Sequence, residues 1–167
     1  MNILALDCAL KTGYATLING RIESGVQDFT KRRGESNGLV FMRFNAWLNE
    51  LAKMAFNDGA APCDGHKVFD LVAYEQAHHR GGYATEIGVG LATRVQEFAA
   101  RIGAECMPVH TATLKKFATG SGRAGKSAMC DAFMEIFGYK PVTDDEADAY
   151  WLLKYAMSQV GEQEARF

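Results

Sequence analysis

At about 150 residues per domain, a chain of 167 residues points to one domain, spanning residues 1–167 and able to bury roughly two-thirds of its unfolded surface. Hydrophobic residues make up 48% and charged residues 23%, with only three prolines, which excludes a disordered, collagen-like or fibrous chain. Eighteen Lys and Arg against twenty Asp and Glu leave a net charge of -2, so a nucleic-acid or membrane partner has to be sought in local patches.

The first residues, Met1-Asn2-Ile3-Leu4-Ala5-Leu6-Asp7, lack a basic segment and meet an acid after four apolar residues, unlike a secretory leader. No apolar run approaches the roughly eighteen residues of a membrane span, so no membrane partner is expected. Cys8, Cys63, Cys106 and Cys130 are scattered without a CxxC pair, which argues against a disulfide framework or a zinc site. A reducing cytosol is the simplest compartment, with the cysteines packed as small hydrophobes.

In chain order, residues 2–8 read as a buried strand. Lys11-Thr12-Gly13 reads as a turn, 14–18 as a second strand, and Asn19-Gly20 as a two-residue hairpin leading to a third strand over 21–29. A basic, polar linker over 31–37 follows. Phe41, Phe44, Leu48 and Leu51 then recur on one helical face. Residues 57–67 form a Gly/Pro/Asp loop, 68–74 a strand that ends at Glu75, and Leu91, Val95, Phe98 and Ile102 mark a second helix. A short strand over 105–109 and helices over 111–117, 124–137 and 143–159 complete the chain. Three antiparallel strands followed by alternating strands and helices predict an α/β or α+β mixed sheet with helices on its faces.

Acids fall where burial makes them costly. Asp7 and Glu75 end two apolar strands, and a charge there costs several kcal/mol unless it is paired or meets a cation. Thr143-Asp144-Asp145-Glu146-Ala147-Asp148-Ala149 opens the last helix. Thr143 and Glu146 have the spacing of a capping box, and acids in a first turn favour the helix dipole. Neither accounts for Asp148, which shares a face with Asp145 and lies between two alanines small enough to let the helix approach a sheet. Asp7, Glu75, Asp145 and Asp148 together form an anionic cluster that calls for divalent cations. Four oxygen donors without Cys or His suit Mg²⁺, with Mn²⁺ able to substitute, better than Zn²⁺. Two such ions per site support in-line phosphoryl displacement.

Between Glu105 and Asp131 there is no acid, whereas Lys115, Lys116, Arg123 and Lys126 surround a glycine-rich turn suited to a phosphate backbone. Residues 120–127 satisfy GxxxxGK[ST]. A P-loop, however, follows a strand, and here a helix precedes the motif.

Four ordered blocks carry a family resemblance: Leu4-Ala5-Leu6-Asp7 with Thr12-Gly13-Tyr14; Ala73-Tyr74-Glu75-Gln76; residues 114–126; and Asp145-Glu146-Ala147-Asp148-Ala149. In these the chain resembles the RuvC-type Holliday junction resolvases of the ribonuclease-H-like superfamily. The resemblance implies an α/β ribonuclease-H-like fold, with a mixed five-stranded sheet, an antiparallel meander followed by βαβ units, and helices on both faces. It implies that Asp7, Glu75, Asp145 and Asp148 are metal-binding catalytic carboxylates, and that Lys116, Arg123 and Lys126 lie in the part that contacts branched DNA. It also implies a homodimer, which matches the paired cuts a four-way junction requires. Cys8-Ala9 stands where the family has Pro-Gly. The stretch Ala77-His78-His79-Arg80-Gly81-Gly82-Tyr83 replaces the usual wedge aromatic, leaving His78 and Tyr83 as candidates to stack on bases. Competing readings are a broader flap, fork or RNA nuclease of the same fold, a non-catalytic junction-binding module, and an actin-like nucleotide-binding fold.

Overall fold

A computed structural model describes residues 1–55, 68–76 and 81–164, with side chains as far as Gly161. The opening meander is β1 (Ile3–Asp7), β2 (Lys11–Ile18) and β3 (Arg21–Asp28), paired antiparallel in turn. Asn19 and Gly20 take φ of 51° and 80°, the left-handed pair that a tight hairpin needs. The helix α1 (Asn37–Ala55) buries Phe44, Leu48 and Leu51 as their spacing predicts. The strand β4 (Leu71–Glu75) joins β1 in parallel, α2 (Gly82–Arg101) follows, and β5 (Glu105–Val109) joins β4 in parallel. The sheet order is β3-β2-β1-β4-β5, which places Pro108 on an edge strand where its missing N–H is tolerated. Three helices close the chain: α3 (Thr111–Thr119), α4 (Lys126–Phe137) and α5 (Asp144–Glu164).

Most element ends shift from expectation by a few residues, and two of the differences bear on the fold. Lys11-Thr12-Gly13 is strand rather than turn: Asp7 lies opposite Gly13, and the reversal occurs at Cys8-Ala9-Leu10, closed by the Thr12 hydroxyl donating to the Ala9 carbonyl at 2.6 Å. β4 begins at Leu71 rather than at residue 68. Asp70 accepts the Asn2 N–H at 2.7 Å through its carboxylate, so the side chain takes a bond that a longer ladder would make through backbone. The expected loop over 57–67, Cys63 included, lies outside the described residues.

Strand alternation sorts the core into two layers. Leu4, Leu6, Val72 and Tyr74 face α1 and α2, meeting Phe44, Leu48, Leu91, Val95 and Phe98. Ile3, Ala5, Ala15, Leu71 and Ala73 face the other way, meeting Leu114 of α3, Met129 of α4, and Ala149, Leu152, Leu153 and Ala156 of α5. The helices cover both faces, as the α/β reading expects. Cys8, Cys106 and Cys130 are free thiols. Among the described residues no helix is long and apolar enough to cross a membrane.

Candidate active site

On the α5 side, paired strand positions shrink step by step. Ile3, Leu17 and Leu71 form one row and Ala5, Ala15 and Ala73 the next; the row after contains Asp7 and Gly13, with Glu75 one step beyond the last registered pair between β1 and β4. Parity therefore turns both strand-end carboxylates toward α5. The glycine in this row admits the helix: a Cβ on Gly13 would lie 1.9 Å from the Asp145 carbonyl oxygen and 3.2 Å from the Ala149 Cβ. A glycine inside a strand signals such an approach, and reading Gly13 as a turn residue hid it.

The start of α5 is pinned in rotation as well as in position. Thr143 Oγ1 accepts the Glu146 N–H at 3.2 Å, the first half of the predicted capping box. The buried Glu146 carboxylate accepts the Val142 N–H at 2.9 Å and the Ser24 hydroxyl of β3 at 2.7 Å. With Glu146 anchored toward β3, Asp145 and Asp148 turn into a cleft of about 410 Å³ that Asp7 and Glu75 also line. All four sequence-predicted carboxylates thus share one cleft. Among the described residues, no three His, Cys, Asp or Glu side chains are gathered closely enough to hold a metal ion as they stand.

Their electrostatics follow from burial in this cleft and then from one another's charge. Burial first, then the charges of Glu75, Asp148 and Asp145, hold the Asp7 carboxyl well above the usual carboxylate range, with Lys126 opposing. Asp148 is pushed up to about 7, by burial and then by Glu75, with Lys126 again opposing. Asp145 is raised by burial and by Asp144, with Lys126 and Lys11 pulling it back. The Cys8 thiol beside them is pushed up by burial and by Asp7 and Glu75.

Lys115 and Lys126 line the same cleft. Lys126 forms an ion pair with Asp144, which holds the Asp144 carboxyl below its usual range and raises the ammonium. The helix α3 precedes the GxxxxGK[ST] stretch, so the strand a P-loop requires is missing there. Lys116 and Arg123 are exposed, on α3 and on the turn before α4, and are not among the cleft-lining residues. Tyr83 is 48% exposed in the first turn of α2, with the Lys31 ammonium 5.3 Å from its ring centroid. His78 lies outside the described residues.

Thr111, absent from the sequence reading, donates its hydroxyl to Glu75 Oε1 at 2.5 Å from the start of α3. Its position directly after β5, a strand neighbouring that of Glu75, is the sequence signal that could have found it. Ala84, Thr85 and Gly88 of α2 complete a small-residue wall.

No protein-family profile and no curated protein matches the chain by sequence. Solved structures do. Thermus thermophilus RuvC matches at a TM-score of 0.65 and 17% identity, over 91% of this chain and 90% of that one. T. thermophilus RuvC in complex with Holliday junction substrate matches at 0.68 and 18%, over 91% and 90%. This chain has the RuvC fold. The fowlpox virus Holliday junction resolvase matches over 95% of this chain and 99% of that one, at 0.52 and 17%. The RuvC fold agrees with the five-stranded mixed sheet and its strand order, and with the ribonuclease-H-like architecture expected from the ordered sequence blocks.

Proposed function

We propose that the chain is a structure-selective endonuclease that hydrolyses phosphodiester bonds in Holliday junctions and similar branched DNA, using two Mg²⁺ ions, and acts as a homodimer. The observation that carries this reading is the convergence of Asp7, Glu75, Asp145 and Asp148 from β1, β4 and α5 on one cleft, in a fold shared with RuvC bound to Holliday junction substrate and with a viral Holliday junction resolvase. The donor set fits the ions. It is all oxygen, and burial followed by the neighbouring carboxylates pushes Asp7 and Asp148 up toward protonation, so it gains from hard countercharge. Divalent ions bound there supply Lewis-acid activation of water and offset charge developing on the phosphoryl oxygens.

The chain's own groups divide the remaining work. Asp7, electrostatically coupled to the other three acids, would hold the divalent ions together with Glu75 and Asp145. Asp148 would hold or orient the ion that activates the attacking water. Lys115 and Lys126 on the cleft wall meet the scissile phosphate, while Lys116 and Arg123 grip the flanking backbone. His78 and Tyr83 contact bases exposed at the branch point. A two-fold assembly supplies matched sites for the paired cuts.

The test compares cleavage of a four-way junction, a fork, a flap and a linear duplex in Mg²⁺. Asp7→Asn and Asp148→Asn each lose cleavage by on the order of a thousandfold or more and still bind the junction. Cleavage unchanged in either variant overturns the assignment. Equal rates on flap, fork and junction replace it with a broader nuclease of the same fold.

A further inference from the structure

The connection between β3 and α1 carries Lys31-Arg32-Arg33, a run that the carboxylate chemistry leaves unused. It leaves the sheet at Asp28, opposite Lys11. Because β3 runs in the same direction as β1 and β4, this is the edge at which Asp7 and Glu75 stand.

The turn is built rather than loose. The Thr30 N–H donates to Asp28 Oδ1 at 2.7 Å, the Arg32 N–H to Glu35 Oε2 at 2.8 Å, and the Glu35 N–H to the Arg32 carbonyl at 3.1 Å. From α1, Arg43 holds both Glu35 oxygens at 2.7 and 3.0 Å and reaches the Phe29 carbonyl at 3.1 Å. Glu35, the one acid between residues 29 and 36, is thereby taken up by Arg43 and by backbone. The Arg32 and Arg33 side chains are exposed and make no ion pair or hydrogen bond among the described residues.

Lys31 ties the turn to the cleft wall. Its ammonium lies over the Tyr83 ring and donates to Asn37 Oδ1 at 3.1 Å, and the Asn37 amide donates to Glu86 of α2 at 2.6 Å. Tyr83 directly precedes the cleft-lining Ala84 and Thr85.

We propose that the Lys31-Arg32-Arg33 turn is a second phosphate-binding surface, which takes the backbone of a duplex DNA arm on the α2 side of the cleft, away from the lysines of α3 and α4. This rests on the nuclease reading above. Guanidinium forks match phosphate oxygens bidentately, and a braced turn loses little conformational freedom when it engages them. On a chain of net charge -2, two exposed arginines that form no ion pair among the described residues are a local source of attraction at the active edge.

The experiment measures anisotropy of a labelled four-way junction across a salt series, in an Asp7→Asn parent that binds without cutting. Adding Arg32→Ala and Arg33→Ala weakens binding by about tenfold or more and makes the log-log salt slope shallower by about 2. Arg32→Lys with Arg33→Lys keeps the slope of the parent, which separates lost charge from lost folding. Affinity and slope unchanged in the alanine pair overturn the surface while leaving the nuclease reading intact. A parent that binds no branched DNA overturns the nuclease reading and this surface with it.

Discussion

The two faces of the sheet pack their helices with side chains of different size, and the difference separates stability from chemistry. Toward α1 and α2, the strands present Leu4, Leu6 and Tyr74 to Phe44, Leu48 and Phe98, and Phe29 stacks edge-on with Phe44 and Trp47 at 5.3 and 5.5 Å. Toward α5, beyond the row of Ile3 and Leu71, the rows nearest the cleft present Ala5, Ala15, Ala73 and finally Gly13, whose close neighbour on the helix is Ala149. Large rings bury area. Small groups let a helix backbone touch a strand, and only this contact brings two helical carboxylates to two strand-end ones.

The strongest way to break this contrast is a pair of substitutions, one on each face. Phe44→Ala costs about 3–5 kcal/mol by urea unfolding, while cleavage per folded molecule is retained because the α5 contact is untouched. Gly13→Val also destabilises, by at least about 1–3 kcal/mol, because the added Cβ meets α5 backbone at 1.9 Å. It lowers cleavage by on the order of a hundredfold, since backbone of α5 has to move away from β2. If Gly13→Val retained wild-type cleavage, close approach would not be what assembles the cleft.

The next effect is on the order of a few kcal/mol and depends on pH. Asp148 titrates near 7 in the folded chain and near the ordinary carboxylate value when unfolded. Between those values the folded state holds a proton that the unfolded state has lost. In chelator, stability is therefore full below the unfolded value and falls as pH rises toward 7, and the upward shifts of Asp7 and Asp145 act in the same direction. Asp148→Asn flattens this slope, and Mg²⁺ raises the melting temperature more above pH 7 than near pH 5. Stability that climbed with pH through that window would contradict the crowded-carboxylate account. The smallest effect belongs to Thr111→Val, which frees Glu75 from its hydroxyl partner and weakens Mn²⁺ binding about tenfold by calorimetry, with Thr111→Ser restoring it.

Much of the fold and half of the site logic could be read locally. The Asn19-Gly20 hairpin, the face of α1 and the Thr143/Glu146 pair all depend on neighbours within a turn or two, where propensity and periodicity act. The strand-end acids were visible for the same reason, since a charge ending an apolar run is conspicuous. The turn assigned to Lys11-Thr12-Gly13 was misplaced because a glycine suits both a reversal and a crowded strand, and only α5 distinguishes them. Thr111 was missed because its partner Glu75 is 36 positions away.

By itself, then, the sequence determined which residues are acidic at strand ends, which stripes are apolar, and how the last helix is capped, because each is settled by short-range sterics, hydrogen bonding and solvation. The tertiary structure alone decided that Glu146 turns to Ser24, 122 positions away, while Asp145 and Asp148 turn to the cleft, and that a basic turn sits beside Tyr83. Those outcomes arise from packing between distant segments, whose geometry follows from the shape of the assembled layers and leaves no period in the chain.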